Sequence, residues 1–222
     1  MHQITAYGGL KGKVPFHQAI PQSPGFQPIP GAIQQESIFA KTLRSASQIT
    51  GRNITTLQEL RNLSALDLYY TNCLAIAVPI YGLFTYGPVV DGKFVPRLPG
   101  ELLLAGQFDK SLNLMLGHNA DEGLIFSSPY VQSNDDFVNY LQSVFPSTPK
   151  ETVNYVAAVL YPPVFDGSLG YTSQIKRIDL LFSELAFTCN TRYMDLAFGN
   201  KTYSYLFSTP PALHGDDNPY GM

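Results

Sequence analysis

The chain has 222 residues, of which 45% are hydrophobic and only 14% are charged, and its net charge at pH 7 is −3. This length and apolar content suffice for one domain with a sizeable core or for part of a larger domain. The slight acidic excess and the lack of a basic cluster exclude a nucleic-acid partner. The longest apolar stretch, residues 73–84, is interrupted by Pro79, and it is shorter than the roughly 20 apolar residues of a transmembrane helix.

The spacing of apolar residues predicts helices that separate a few short strands. The predicted helices occupy, in chain order, residues 34–50, a segment that opens at Thr55, a segment capped by Ser64, and residues 98–106, 134–144, 149–160 and 171–198. The predicted strands occupy residues 16–20, 112–116 and 202–207. Because long helical stretches separate the strands, we expect parallel crossovers and therefore an α/β sheet.

Two further segments carry local signals. Residues 1–6 are predicted to be the end of a helix, which Gly8-Gly9 terminates. In residues 87–96, Asp91-Gly92 stands between apolar pairs, a pattern that predicts a β-hairpin.

Two motifs follow predicted strands. Residues 116–123 are Leu-Gly-His-Asn-Ala-Asp-Glu-Gly, and residues 212–217 are Ala-Leu-His-Gly-Asp-Asp. In α/β sheets, functional groups lie on the loops beyond the carboxyl ends of the strands. An acid after one strand and a histidine after a later strand match the second and third members of the Ser–acid–His order in α/β-hydrolases. Glu122 is therefore predicted to be the acid and His214 the general base.

The nucleophile of such a triad has no candidate in the sequence. Gly-x-Ser-x-Gly is absent from the 222 residues, and the nearest approach, Pro-Gln-Ser-Pro-Gly at residues 21–25, has proline at the first glycine position. Proline neighbours are incompatible with a strand-to-helix elbow, so we interpret Ser23 as an ordinary loop serine after a buried strand. Removing a triad member costs about 10⁴- to 10⁶-fold in rate. The chain by itself is therefore expected to be inactive on esters.

Several segments, taken in order, resemble fungal type-B carboxylesterases and lipases, a group related to the cholinesterases. The segments are Met-His-Gln-Ile-Thr-Ala-Tyr-Gly-Gly at residues 1–9, Phe-His-Gln-Ala-Ile-Pro-Gln-Ser at 16–23, Tyr-Gly-Pro-Val-Val-Asp-Gly at 86–92, and the acid and histidine motifs. The resemblance implies a partial α/β-hydrolase fold, with a mainly parallel sheet flanked by helices. Residues 1–222 would then form an incomplete carboxylesterase domain, in which the N-terminal half with the nucleophile elbow and the oxyanion loop is missing.

The same resemblance implies a function for the intact parent. It is carboxylic-ester hydrolysis through an acyl-enzyme, with a small-molecule or lipid ester as substrate and without a cofactor. An incomplete gene model and a genuinely truncated product both remain open as explanations of the missing half. The competing hypothesis is a non-catalytic, cholinesterase-like binding module or a truncated remnant. Binding alone would not require both Glu122 and His214, which argues against it.

Other polar residues near the motifs have candidate roles. Asp121, Asp216 and Asp217 are candidate hydrogen-bonding partners around the acid and the base, although Asp216 and Asp217 are equally well explained as solvated loop carboxylates. His118 lies close enough in sequence to Asp121 and Glu122 for a metal site to be considered, but no second His or Cys cluster supports one. We therefore predict no metal.

Aromatic residues and cysteines leave alternatives open. Tyr69-Tyr70 and residues 81–86 are the candidate pocket residues, with core packing as the alternative explanation. Cys73 and Cys189 can form one disulfide or none, and we expect that they are not bonded to each other.

Three Asn-x-Ser/Thr sequons predict glycosylation at Asn53, Asn62 and Asn200. Together with the family resemblance, they favour a secreted protein. Residues 1–5 lack the basic start and apolar centre of a secretory signal.

Overall fold

The computed structural model describes residues 1–25, 32–77 and 80–221. The strands of this part of the chain are β1 (Gln18–Ala19), β2 (Asn113–Asn119) and β3 (Tyr203–Phe207). The α-helices are α1 (Ala32–Thr50), α2 (Leu57–Arg61), α3 (Ala65–Ile76), α4 (Pro99–Leu104), α5 (Asn134–Val144), α6 (Lys150–Tyr155), α7 (Gln174–Phe182) and α8 (Cys189–Ala197). A π-helical segment, Val156–Leu160, extends α6, and another, Ser183–Thr188, joins α7 to α8.

The three strands form one parallel sheet in the order β1-β2-β3. β2 therefore lies in the centre, and its residues from Met115 to Asn119 pair with Tyr203 to Phe207 of β3. On the other side, the pairing continues past β1, because the Ser23 amide donates to the Gly117 carbonyl at 2.8 Å. The predicted α/β class with a parallel sheet is confirmed. This register brings Ser23 and the last residues of β2 and β3 to the same edge of the sheet.

Most of the predicted elements are present. Helices predicted at residues 34–50 and 134–144 correspond to α1 and α5, and the Ser64 hydroxyl caps α3 by accepting from the Asp67 amide at 3.0 Å. The predicted helix at residues 171–198 is a helical path made of α7, a π-helical segment and α8. Such segments form because local apolar spacing and capping residues agree with the packing.

Two local predictions are wrong. Residues 2–5 form turns and Ala6–Gly9 form a short 3-10 helix, in place of the end of an α-helix, although the Thr5 amide donates to the Met1 carbonyl at 3.1 Å. Residues 87–96 do not form the two strands of the predicted hairpin. Instead, Asp91 Oδ1 accepts from the amides of Lys93 and Val95, both at 2.8 Å. The side chain thereby binds backbone donors that a strand ladder would need.

Two apolar clusters hold the helices and the sheet together. One lies among α5, α6 and α7 and contains Phe137, Leu141, Val153, Ile178, Leu181 and Phe182. The other packs Leu114 and Leu116 of β2 against Phe108 and against Met194 of α8. Because β2 is buried in this second cluster, the position of its carboxyl end is fixed by the core.

The edges of the sheet and several helix faces leave apolar side chains exposed. Ile20 beyond β1 and Tyr203 and Leu206 on β3 are examples. In the ranges that the structure describes, no helix is long and apolar enough to cross a membrane.

Candidate active site

Glu122 lies in the loop that follows β2 and is completely buried. Its Oε1 accepts a hydrogen bond from the Asn119 amide at 2.6 Å, so the last residue of β2 holds the carboxylate directly. The Asp121 amide donates to the Ala212 carbonyl at 3.0 Å. This bond links the loop after β2 (residues 120–123, the acid loop) to the loop after β3 (residues 208–217, the histidine loop), which carries His214.

His214 reaches the acid from this second loop. Its Nδ1 lies 2.6 Å from Glu122 Oε2, and its side chain is 32% exposed, whereas that of Glu122 is 0% exposed. Gly215 has φ +91°, a backbone conformation that favours glycine, and the Asp216 carboxylate accepts from the Leu213 amide at 2.8 Å. The chain thus turns tightly at the histidine, which leaves one side of the imidazole open to solvent.

Ser23 is part of this site, a role that sequence reasoning missed. Its hydroxyl donates to Glu122 Oε1 at 2.6 Å, so both carboxylate oxygens are bonded to side chains of other segments. Ser23 has φ +46°, which is strained for a residue with a side chain. The contact with Glu122 spans 99 positions, so no local pattern could predict it. The one sequence signal for a functional role was the position of Ser23 just after a predicted strand.

The charge of Glu122 is stabilised inside the protein. Burial raises the pKa of this carboxyl, but hydrogen bonds from His214, Ser23 and the Asn119 amide lower it more, so the pKa lies below its ordinary value. Glu122 is therefore ionised at neutral pH. An ionised carboxylate accepts only, so His214 Nδ1 must carry the hydrogen of their shared bond.

The predicted acidic neighbours occupy three different positions. Asp216 bonds to the backbone of its own loop. Asp217 is 4% exposed and accepts from Asn119 Nδ2 at 3.1 Å and from the Tyr205 hydroxyl at 2.6 Å. Within the described part of the chain, neither carboxylate bonds to the His214 ring. They act on the loop that carries the histidine rather than on its ring.

Asp121 faces helix α7. Its carboxylate forms an ion pair with Lys176 at 2.7 Å, and Lys176 also pairs with Asp179 at 2.8 Å. Burial raises the pKa of Asp179, and the nearby Asp121 raises it further, against the opposing effect of Lys176. The acid loop is therefore tied to α7 by charge.

Gly123 allows a close approach between this loop and the helix. A Cβ atom at this position would lie 2.0 Å from the Asp179 carbonyl oxygen, a distance that real contacts do not reach. The Gly123 amide donates to the Ser183 hydroxyl at 2.8 Å. The residue after the acid must therefore be glycine for the loop to sit on α7.

Aromatic rings border His214. The centroid of Phe187 lies 4.6 Å from that of the imidazole, and the centroid of Phe126 lies 5.2 Å away. Of the candidate pocket residues, Phe84 reaches this group through Phe126, at 6.0 Å between ring centroids. Tyr69 and Tyr70 are exposed on α3 and contact each other.

Throughout residues 1–25, 32–77 and 80–221, His, Cys, Asp and Glu side chains form no group of three that could hold an ion. Burial lowers the pKa of His118, while the charge of Glu122 opposes this shift.

A groove of about 530 Å³ beside α1 is lined by Leu43 and Asn53, among others, and by none of the site residues. Cys73 and Cys189 are free thiols.

A parallel sheet with an acid and a histidine on adjacent strand ends is the arrangement of the α/β-hydrolases. The sequence model of the carboxylesterase family matches residues 11–222, and the chain belongs to this family. Glu122 and His214 both lie within the matched residues.

Individual relatives agree with this assignment. The carboxylesterase patB of Aspergillus clavatus is 35% identical over 219 residues, which cover 98% of this chain and 38% of that relative. The secreted triacylglycerol lipase LIP1 of Gibberella zeae is 27% identical, and the match covers 98% of this chain and 41% of the lipase. The crystal structure of EstA from Aspergillus niger shares the fold with a TM-score of 0.72 at 19% identity, over 92% of this chain and 40% of that one. The chain thus spans about two fifths of the length of these proteins.

Proposed function

We propose that Glu122 and His214 are the acid and the general base of a serine carboxylic-ester hydrolase. The observation that supports this most directly is the 2.6 Å contact between His214 Nδ1 and the completely buried, ionised Glu122. Because Nδ1 donates to the carboxylate, the imidazole is held in the tautomer whose Nε2 is free to accept a proton.

The proposed roles follow from this tautomer. His214 Nε2 would take the proton of a serine hydroxyl as that oxygen attacks the ester carbonyl, and would then pass it to the leaving alcohol. Glu122 would remain ionised throughout and stabilise the imidazolium that forms. Among the described residues, no hydrogen bond joins the His214 ring to a serine. We therefore propose that the serine is supplied by sequence outside these 222 residues, that residues 1–222 form an incomplete carboxylesterase domain, and that the chain alone does not hydrolyse esters.

The supporting roles are proposals of the same kind. Asp121 would hold the acid loop through Lys176, and Asp216 and Asp217 would hold the histidine loop. No cofactor or metal takes part in the proposed reaction. The expected substrate is a small-molecule or lipid ester.

A chimera tests this function directly. The region of the Aspergillus clavatus carboxylesterase that this chain matches would be replaced by residues 1–222, and hydrolysis of a short-chain nitrophenyl ester would be measured. We expect turnover by the chimera, and we expect His214→Ala to reduce kcat by about 10⁴-fold or more. The matched control is His17→Ala, since His17 is an exposed histidine outside the site.

Two results would contradict the proposal. One is a folded chimera whose turnover survives His214→Ala. The other is ester hydrolysis by the isolated 222-residue chain that disappears with His214→Ala, because this would show that the chain contains its own nucleophile.

We also propose that the protein is secreted and glycosylated. The side chains of Asn53, Asn62 and Asn200 are all exposed, as glycan acceptors must be. Expression behind a heterologous signal sequence in a fungal host should yield a product whose mobility increases on endoglycosidase treatment. An unchanged mobility would reject glycosylation at these sites.

A further inference from the structure

A buried chain of hydrogen bonds connects the acid loop to the histidine loop. Asn119 Nδ2 lies 3.1 Å from Asp217 Oδ1 and 3.4 Å from Glu122 Oε1, and the Tyr205 hydroxyl donates to Asp217 Oδ2 at 2.6 Å. Asn119 is 1% exposed and Asp217 is 4% exposed. One neutral amide therefore lies between two buried carboxylates and donates a hydrogen towards each. We call Asn119, Asp217 and Tyr205 the brace.

The brace solves an electrostatic problem that the site creates. Two buried carboxylates repel each other and lose hydration, so each needs donors to remain ionised. Burial raises the pKa of Asp217, but the hydrogen bonds from Tyr205 and Asn119 lower it more, and the carboxyl stays charged at neutral pH. Without the Tyr205 hydroxyl, Asp217 would lose the first of the hydrogen-bond donors that lower its pKa.

The sheet sets the position of the Tyr205 hydroxyl. Tyr205 pairs with Gly117 across β2 and β3, and a Cβ atom on Gly117 would lie 1.9 Å from Tyr205 Cζ. The tyrosine ring therefore rests directly on the backbone of the central strand. Its hydroxyl is held on a rigid element rather than on a loop.

Asp217 passes this rigidity to the histidine loop. It follows His214 by three positions, and between them the Asp216 amide and carboxylate both bond to Leu213. The loop is thus one tight turn that carries both the imidazole and the Asp217 carboxylate. A shift of Asp217 would move His214 relative to Glu122.

We infer that Tyr205, acting through Asp217 and Asn119, is a positioning residue that holds the His214 imidazole in hydrogen-bonding register with Glu122. The inference rests on the proposed function of Glu122 and His214 and names further residues on which their geometry depends. Tyr205 touches neither a reacting atom nor the imidazole, and its effect passes through the backbone of the histidine loop.

The test uses the whole 222-residue protein and the NMR signal of the proton between His214 Nδ1 and Glu122. The signal is assigned by its loss in His214→Ala. Tyr205→Phe removes the hydroxyl and keeps the ring on Gly117, and Tyr203→Phe is the matched control, because Tyr203 lies on the same strand and is 78% exposed. We expect solvent exchange of this proton to become about tenfold faster in Tyr205→Phe and to stay unchanged in Tyr203→Phe.

Equal exchange rates in the two folded variants would overturn the inference. If Tyr205→Phe does not fold, Asp217→Asn is the second variant, since it keeps the shape of the side chain and removes its charge. Faster exchange in Asp217→Asn supports the brace, and an unchanged rate overturns it.

The chimera separates this inference from the proposed function. In an active chimera, Tyr205→Phe should lower kcat about tenfold with KM unchanged. Here kcat is expressed per folded active site, counted by titration with a covalent serine-esterase inhibitor, so that a smaller folded fraction does not contribute. If Tyr205→Phe leaves the kcat of an active chimera unchanged, the inference about the brace is wrong and the proposed function stands. If His214→Ala leaves kcat unchanged, the proposed function is wrong, whatever the exchange rates show.

Discussion

The carboxyl edge of the sheet and the outer face of α3 differ in how their side chains are partnered. At the sheet edge, Glu122, Asn119 and Asp217 are almost completely buried, and their hydrogen bonds run to one another and to neighbouring strands. On α3, Thr71 and Ala75 are buried, whereas Leu66 is 62% exposed and Tyr69 and Tyr70 are also exposed.

This difference separates two properties of the chain. The acid and the histidine are held by hydrogen bonds within the described residues. The apolar face of α3 has no covering element among those residues, so its side chains contribute little to stability.

The largest effect on stability should come from Gly123→Ala. The new methyl group would collide with the Asp179 carbonyl at 2.0 Å, and the acid loop would have to leave α7. We expect a loss of about 3 kcal/mol in the free energy of unfolding, measured by urea denaturation. Gly100→Ala is the control, because among the described residues no atom from outside the local helix lies within 4 Å of the position of the new methyl group, and alanine favours helix α4. If Gly123→Ala were as stable as Gly100→Ala, the acid loop would adapt to the methyl group, and the expectation would be wrong.

An intermediate effect should appear in the pH dependence of stability. The pKa of Glu122 in the folded chain lies below its unfolded value, so its stabilising contribution is complete above the unfolded pKa and disappears as the pH falls through the folded pKa. Glu122→Gln should therefore be less stable than the native chain by about 2 kcal/mol at pH 7, and the difference should shrink below about pH 4.

Urea denaturation of both proteins between neutral and acidic pH measures this difference. Glu151→Gln is a suitable control, since Glu151 is an exposed glutamate in the first turn of α6. A gap between the native chain and Glu122→Gln that stays constant with pH would show that the carboxylate is not the stabilising form.

The smallest effect should come from the exposed face of α3. Leu66→Ser should change the free energy of unfolding by less than about 0.5 kcal/mol, because the side chain is already in water. The same substitution should reduce self-association in sedimentation experiments, since it removes exposed apolar area. A large loss of stability would mean that this face is covered, and the contrast between the two regions would fail.

Local patterns were sufficient where neighbouring residues decide the structure. The helix over residues 134–144 follows from its apolar spacing and from Ser133 and Asp136, which form a capping box. The hairpin at residues 87–96 failed for an equally local reason, since the Asp91 side chain competes for the backbone donors. Turn residues predict a turn, but they do not predict whether strands flank it.

The candidate acid and base were also predictable, because each lies in the loop after a strand and parallel strands end at one edge of the sheet. The place of Ser23 in the site could not be predicted. Pro24 made it resemble an ordinary loop serine, and its partner Glu122 is remote in sequence. Tyr205 was equally hidden, because strand residues are read first as packing elements and its bond to Asp217 depends on the turn after β3.

Most of the helices, the three strands, their parallel sense and the two residues expected to act as acid and base could be predicted from the order of amino acids. These features depend on apolar periodicity and on motifs at strand ends, which are local. The burial of Glu122 and its bond to Ser23, the contact of Gly123 with α7, and the place of Asn119 between two carboxylates became visible in the folded structure. Such contacts join segments that are distant along the chain, so sheet register and close packing, rather than any local pattern, bring them together.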